Sequence, residues 1–493
     1  MIYDVAIIGS GPSAVSAYHS LIKKAANAKF CILEAGCKLH GYSGKYNVLP
    51  SSNFGIDPSH YLGFGGTSEL WHYVLAPFDP IDFEYRPKLN CNGWPISFLD
   101  LKEYYEEALS LLGVSNTKVF WNQEKEFDLK ELDLGVLNDV IEPKLFIQLK
   151  KRWRAKQYWE NQNVEIKFEH FVRGLNVMSN SVEIIASDMS GRELPSVISR
   201  KVIVAAGGLN TPQIIYNSAI DLTARKSVGK TLLDHPMGVG MQIKRTKSYN
   251  FEILTSKKER KFNKKIAFRI KDSIQREEGL PNSSFYFRPS FKEGYSNTTE
   301  ELKRKILVYR DGIKRGKIPF KLGIDLMRDW NLLGQVIAYK TGIFSNASLF
   351  DIFCVTEQIS RESKIVFERG LDGFFYGKCC WSVGDIDESL NYRCLSKISE
   401  SIDALKTNDH VTVRPEYISW VNRATSAAHH MGTVPMANNA EQGALDRNCS
   451  VFGLNESVFV ADASVLPSAG CANVTLTSMA IACRVGDYVS EIL

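Results

Sequence analysis

Residues 2–8 (IYDVAII) are a largely apolar run with β-branched side chains, the pattern of a strand buried on both faces of a parallel sheet. The period then changes. From position 13 the small apolar and hydroxyl residues of SAVSAYHSLIKKAA fit a helix packed close to that strand. Residues 29–33 (KFCIL) return to strand. Residues 36–60 lose periodicity and are rich in Gly, Ser, Asn and Pro, which makes them loop. A helix-compatible segment follows position 68, and residues 93–114 pattern as a turn and an amphipathic helix. Residues 164–207 alternate as strands and end in KVIVAAG, a buried strand running into a glycine turn. Thr211 and Pro212 then open a helix as N-cap and first residue. A last strand is expected over 457–461 and a last helix over 474–483.

The turn after the first strand reads Gly9-Ser10-Gly11-Pro12-Ser13-Ala14, a G-x-G-x-x-A pattern. Gly9 permits a tight turn, Gly11 lets a pyrophosphate approach the backbone, and Ala14 keeps helix and strand close. Glu34 ends the second strand, 25 residues after Gly9, where an acid accepts the ribose hydroxyls of an adenosine. It also disfavours a 2′-phosphate and so NADP, although it does not separate FAD from NAD. The fold expected is α/β: a Rossmann-type nucleotide-binding domain with a mixed sheet and an inserted substrate domain. The nucleotide domain is expected over 1–60, 160–238 and 422–493, and the substrate or cap domain over 61–159 and 239–421.

The chain of 493 residues is too long for one simple core. Its net charge of +5 is too small to imply nucleic acid, and the basic runs at 257–265 and 303–317 read as solvated surface. Ten cysteines without C-x-x-C pairs point to reduced thiols. With no room for a signal peptide and no apolar run of membrane length, a cytoplasmic protein without an integral membrane segment is expected. Residues 318–344 mix apolar and charged positions and read as a cap helix packed on its own core rather than an interfacial helix. No His/Cys/Glu cluster has metal-ligand spacing along the chain, so no metal is expected.

The candidate chemistry lies near the end. HHMGTVPM begins at His429, and VADASVLPSAGCANVTLTSMAIA begins at Val460. A His able to take a proton and an Asn able to hold an oxygen, here His429 and Asn473, suit removal of hydride from an alcohol. His430, adjacent and facing another way, is read as structural, as is His235 before a proline. Asn473 also precedes a helix, whose N-terminus directs a positive dipole at an anionic reduced flavin. Val474 and Thr475 begin that helix. Thr475 and Thr477 are either helix-start polar residues or flavin contacts. Gly65-Gly66-Thr67-Ser68 is a second glycine turn whose backbone N–H groups can contact a phosphate or a flavin edge.

Taken together, these blocks resemble the glucose–methanol–choline (GMC) oxidoreductases. The resemblance is carried by GSGPSA with Glu34, the GGTS block, VIVAAGGLNTPQIIYNS at 202–218, VGKTLLDHP at 228–236, HHMGT at 429–433 and DASVLPSAGCANVTLTSMAIA at 462–482. Residues 240–420 carry no matching motif. The resemblance implies FAD, a two-domain fold and alcohol oxidation, with His429 as the catalytic histidine and Asn473 at the second active-site position. It places Trp71 and His72 near the flavin and Val172 where relatives hold the adenine. Ala206 joins the cofactor contacts, and Asp462 and Ala463 line the ribityl chain by their backbone. Leu70 stands where some members attach FAD through a histidine, so non-covalent FAD is implied. The motif style resembles sugar-oxidising members.

The expected function is therefore FAD-dependent oxidation of a hydroxyl on a sugar, cyclitol or glycoside. His429 takes the proton, and hydride passes to the flavin. The electron acceptor, whether oxygen, a quinone or a protein, is open. The alternatives are a lyase of the same fold that uses the histidine without net redox, and a non-catalytic flavoprotein.

Overall fold

The structure is a computed structural model that describes residues 2–39, 41, 47–48, 60–121, 137–218, 222–245, 257–258, 262–292, 302, 320–341, 349–404, 411–414, 420 and 424–493. The first strand is Ile2–Ile8, and Val5, Ala6 and Ile7 have no exposed surface. Phe30–Leu33 and Val197–Val204 flank it in parallel. Glu165–Lys167 and Val458–Val460 extend the parallel set on either side. Phe171–Val177 and Val182–Ser187 join antiparallel to complete a mixed seven-stranded sheet. Paired on both sides and covered on both faces, the strand is apolar from Val5 to Ile8; Asp4, near its open end, accepts from the Lys29 N–H at 2.8 Å.

Two helices cover this sheet and pack against each other, Pro12–Lys24 and Val474–Glu491. Their approach is closest at Gly486, where a Cβ would meet the Ala17 carbonyl oxygen at 2.2 Å. The last helix runs past the expected end at 483 because buried Val485 and Val489 continue its apolar stripe at helical spacing. Leu99–Leu111, the amphipathic helix expected after residue 93, packs on the same helix, with Tyr105 Oη 2.9 Å from Thr477 Oγ1. That part of the first insertion thus lies on the nucleotide side.

The segment after Ser68 departs from the helical reading. It is a chain of 3-10 turns, Gly66–Glu69, Pro80–Phe83 and Pro87–Leu89, with a two-residue strand Val74–Leu75 between. Pro77, Pro80 and Pro87 remove backbone donors and prevent a continuous helix.

Among the described residues a second sheet has nine strands, and every pairing in it is antiparallel. Its spatial order runs from Val74–Leu75 through Ile141–Leu149, Phe262–Ile270, Ser284–Ser290, Leu349–Val355 and Pro236–Arg245 to Val411–Arg414. Both insertions therefore supply strands to one sheet. A hairpin, Lys364–Arg369 with Phe375–Cys380, lies beside the helix Thr211–Tyr216 and stacks Phe367 on Tyr216 at 4.0 Å.

The apolar segment around 318–344 behaves differently from the expectation. In the helices Phe320–Arg328 and Trp330–Thr341, Leu332, Asn331 and Gln335 are buried, but Phe320 is 85% and Trp330 76% exposed. Packing takes one narrow face and leaves large apolar side chains in solvent. Among the described residues no helix is long and apolar enough to cross a membrane, and all ten cysteines are free.

Candidate active site

One cavity of about 1320 Å³ runs from the end of the first strand to the face of the second sheet. At its nucleotide end, Gly9 has φ +105, and a Cβ there would lie 2.4 Å from the Ala205 carbonyl oxygen. Gly11 has nothing within 4 Å of its would-be Cβ, so an anion can reach the backbone at the helix N-terminus. Gly66 faces Gly11 across this slot, its would-be Cβ 3.1 Å from Gly11 Cα. Pro12, Ser13, Thr67 and Ser68 line the same region. Ala14 is fully buried between helix and strand, and Gly65, φ +95, holds the turn; neither faces the cavity.

Glu34 lies at the cavity wall as a buried carboxyl. Its Oε2 accepts from Ser10 Oγ at 2.5 Å and its Oε1 from the Gly36 N–H at 2.8 Å. Burial pushes its pKa up, and these hydrogen bonds oppose the shift. Ser10 Oγ also accepts from the Gly65 N–H at 2.9 Å, tying the two glycine turns to the acid. Val172 lines the cavity beside a bulge in its strand. Ala206, Asp462 and Ala463 also line it. Asp462 has its carboxylate committed to the protein: Oδ2 accepts from the Gly207 N–H at 2.8 Å and Thr211 Oγ1 at 2.5 Å, and Oδ1 from the Ser464 N–H at 2.8 Å. Its backbone is what remains for a ligand. An open backbone slot at a helix N-terminus, with a buried acid beyond it, fits a dinucleotide such as FAD.

The reactive end is built by two crossing segments. Leu233 and Met431 exchange backbone hydrogen bonds, each N–H···O 2.9 Å, which sets residues 234–235 beside 429–430. The Asp234 carboxylate holds both histidine backbones: Oδ1 accepts from the His235 N–H at 2.6 Å and the His429 N–H at 3.0 Å. Ser426 Oγ donates to Oδ2. Gly208 admits this crossing, since a Cβ there would lie 2.1 Å from the His430 carbonyl oxygen.

The imidazoles form a directed chain. His235 Nε2 lies 2.9 Å from the Ala469 carbonyl oxygen, which only accepts, so His235 carries its proton on Nε2. Its Nδ1 is then an acceptor and takes a hydrogen bond from His429 Nδ1–H at 2.8 Å. That leaves the lone pair of His429 on Nε2, where Asn473 Nδ2 donates at 3.0 Å. Asn473 sits at the N-cap position of the last helix, yet its side chain makes no capping bond. The loop that supplies Ala469 and Asn473 is pinned by Ser468, whose Oγ accepts from Trp94 Nε1 at 2.8 Å and donates to the Asp82 carbonyl at 2.8 Å.

Burial pushes His429 well below the usual imidazole pKa, and the neighbouring His235, His430 and His72 act in the same direction. Burial also lowers His235, against the pull of Asp234. His430 is brought down to about 3 by burial, so its 3.4 Å contact with Asp234 Oδ2 joins a neutral imidazole to a carboxylate rather than an ion pair. His430 stacks on His60 at 4.7 Å, with Nδ1 3.2 Å from His60 Nε2.

Asp234, His235 and His429 also place one donor atom each within 4.8 Å of one another, although nothing in their spacing along the chain announces it. The two Nδ1 atoms face each other in a hydrogen bond and Asp234 Oδ1 holds two N–H groups, which makes this a relay geometry.

Leu70, Trp71, His72, Val474 and Thr475 complete the lining here. Trp71 donates Nε1 to the Trp153 carbonyl at 3.1 Å. Thr475 lines the cavity, whereas Thr477 turns to Tyr105. The far wall comes from the second sheet: Phe146, Gln148, Lys265, Tyr286, Arg288 and Phe353. None of these was legible as a site residue, because they sit in stretches without a motif. Asp234 and His235 lie in the VGKTLLDHP block, where His235 reads as structural; their contact with His429 is what the chain does not announce.

Two family models described as GMC oxidoreductase match the chain, one over residues 153–237 and one over residues 395–482. No curated protein matches it. Among solved structures, pyridoxine 4-oxidase from Mesorbium loti is 13% identical with a TM-score of 0.61, covering 99% of each chain. A formate oxidase is 16% identical with a TM-score of 0.58, covering 99% of this chain and 98% of its own. A fungal aryl-alcohol oxidase is 13% identical with a TM-score of 0.56, covering 100% of this chain and 99% of its own. At such identities the likeness is one of fold.

Proposed function

We propose, for a chain that belongs to the GMC oxidoreductase family and is an FAD-dependent oxidoreductase acting on CH–OH donors, that His429 is the general base and the donor is a hydroxyl of a sugar, cyclitol or glycoside. The observation that carries this reading is the hydrogen-bond chain from Ala469 through His235 to His429, which leaves the His429 Nε2 lone pair aimed at Asn473 and the cavity. FAD, when bound, supplies the two-electron acceptor for hydride from the alcohol carbon. A substrate hydroxyl takes the place of the Asn473 amide at His429 Nε2 and gives up its proton there. Asn473 Nδ2 then donates to the substrate oxygen and steadies its developing charge. The depressed pKa keeps His429 neutral and ready to accept. The N-terminus of the helix Val474–Glu491 adds a positive dipole at the same point.

Trp71 and Tyr286 offer flat apolar faces for a sugar ring, and Gln148 and His72 offer polar atoms. With Leu70 in the glycine block, FAD is held without a covalent bond. Residues 1–60, 160–238 and 422–493 form the FAD-binding part together with the Gly66 turn and the helix Leu99–Leu111, and the rest of 61–159 with 239–421 the substrate part. Ten unpaired cysteines suit a reducing compartment such as the cytoplasm. Anaerobic mixing with a panel of sugars and polyols tests the reading: bleaching of the flavin by one or more is expected. Turnover of a substrate without bleaching would instead support non-redox base chemistry. Acid denaturation should release yellow FAD into the supernatant, and colour retained by the precipitate would overturn non-covalent binding.

A further inference from the structure

Two cations stand at the substrate end of the cavity, with no acid between them among the described residues. Lys265 lies three residues before Phe268 and Arg288 three after Phe285; those two phenylalanines are cross-strand partners, the same register carried along both strands faces Lys265 with Arg288, and the Arg288 charge acts on Lys265. Both line the cavity. Among the described residues, the acids that line it are Glu34 and Asp462, both at the nucleotide end and hydrogen-bonded to Ser10 and to Thr211. Asp351, across from Arg288 on the next strand, accepts from Gln242 Nε2 at 2.8 Å, and no ion pair reaches Arg288 from a described residue.

Arg288 is folded back towards the reactive end. Its guanidinium lies 3.4 Å from the centre of the Phe353 ring. Phe353 is two residues from Val355, and Val355 pairs with Met237, which in turn pairs with Thr425 just before the histidine block. Two residues along a strand span about 7 Å, so the guanidinium sits several bonds, not one bond, from the carbon that reacts at His429.

Resting on the reading above, we propose that the donor is an acidic sugar or polyol, carrying a carboxylate or phosphate that Arg288 and Lys265 hold while His429 and Asn473 engage the hydroxyl. Two like charges sharing a partly desolvated wall are unfavourable until an anion joins them. Lys265 registers this: burial lowers its pKa and the Arg288 charge lowers it further. An anion there would form charge-assisted hydrogen bonds with both groups and stack beside Phe353.

The test is calorimetric binding to the FAD-loaded enzyme of glucose, glucuronate and glucose 6-phosphate, with Arg288→Gln and Lys265→Gln alongside. At least one anionic probe should bind about ten- to a hundredfold more tightly than glucose, and each variant should lose about tenfold for that probe while glucose is unchanged. The carboxylate and phosphate arms show which anion fits. Arg288→Lys, which keeps the charge, should restore part of the affinity, and FAD absorbance with the unfolding temperature verifies that each variant is folded. Equal binding of neutral and anionic probes, absence of binding by all three, or indifference to both neutralising variants overturns the proposal. Flavin bleaching by the tight probe is read separately: tight anion-dependent binding without bleaching sinks the oxidation reading and leaves the anion site standing.

Discussion

His235 Nδ1 and His429 Nδ1 face each other at 2.8 Å, and this contact decides which nitrogen of His429 is the base. Replacing His235 with Ala removes the acceptor and frees the imidazole to rotate or change tautomer. We expect the rate of flavin reduction to fall about tenfold to a hundredfold with FAD still bound. His235→Asn, which retains an acceptor, should recover part of that loss. Wild-type rates in His235→Ala would mean that Asn473 alone orients the base.

His429→Ala should cost about 10²–10⁴-fold in substrate oxidation while the flavin spectrum persists. His430→Ala should cost less, because His430 turns to His60 and Asp234. Rapid-mixing rates for the pair test the assignment, and the reverse order would move the base to the second histidine.

Stability should fall in acid from the histidine cluster. His430 is held neutral, with its folded pKa near 3 against about 6.5 unfolded. A depressed histidine pKa means that the unfolded chain binds the extra proton. Stability is complete above about pH 6.5 and declines as pH drops from there towards 3, by up to about 1.4 kcal/mol per pH unit for this group. His430→Asn should flatten the dependence of urea unfolding on pH across that window. An unchanged slope would show that His430 keeps its ordinary pKa.

Asn473→Asp should reduce the flavin more slowly than Asn473→Ala. A carboxylate beside the His429 Nε2 position repels a developing alkoxide, whereas alanine only loses a donor. Rapid-mixing reduction with matched FAD occupancy compares them. Should Asp match the wild type, the oxygen-holding role is wrong.

Two glycines should separate folding from cofactor binding. Gly208→Ala drives a methyl to 2.1 Å from the His430 carbonyl and should cost several kcal/mol of stability, read as a large drop in unfolding temperature. Gly11→Ala meets nothing within 4 Å, so the protein should fold normally and lose FAD affinity where the phosphate would approach. Full FAD occupancy in Gly11→Ala would show that the pyrophosphate lies elsewhere.

The local elements were readable from the chain because each rests on nearest-neighbour physics. An apolar run, a glycine turn and a small-residue helix specify the strand Ile2–Ile8 and the helix Pro12–Lys24 without distant contacts. The pairing of His429 with Asn473 was legible for a different reason: both lie in compact motifs. What joins them to His235 was not, since those 194 positions of separation are closed only where Leu233 crosses Met431. The length of the last helix and the exposed Trp330 were likewise settled by packing rather than propensity, whereas the prolines that break the stretch after Ser68 are a local signal in the chain. Lys265 and Arg288 make the point most clearly. Lys265 ends the basic run 257–265, which reads as solvated surface, and Arg288 lies in a stretch without a motif; the structure corrects the first reading, since Lys265 stands in the strand Phe262–Ile270 and faces the cavity. Only the register of an antiparallel sheet, fixed by hydrogen bonds between segments distant in sequence, turns both into the wall of one cavity.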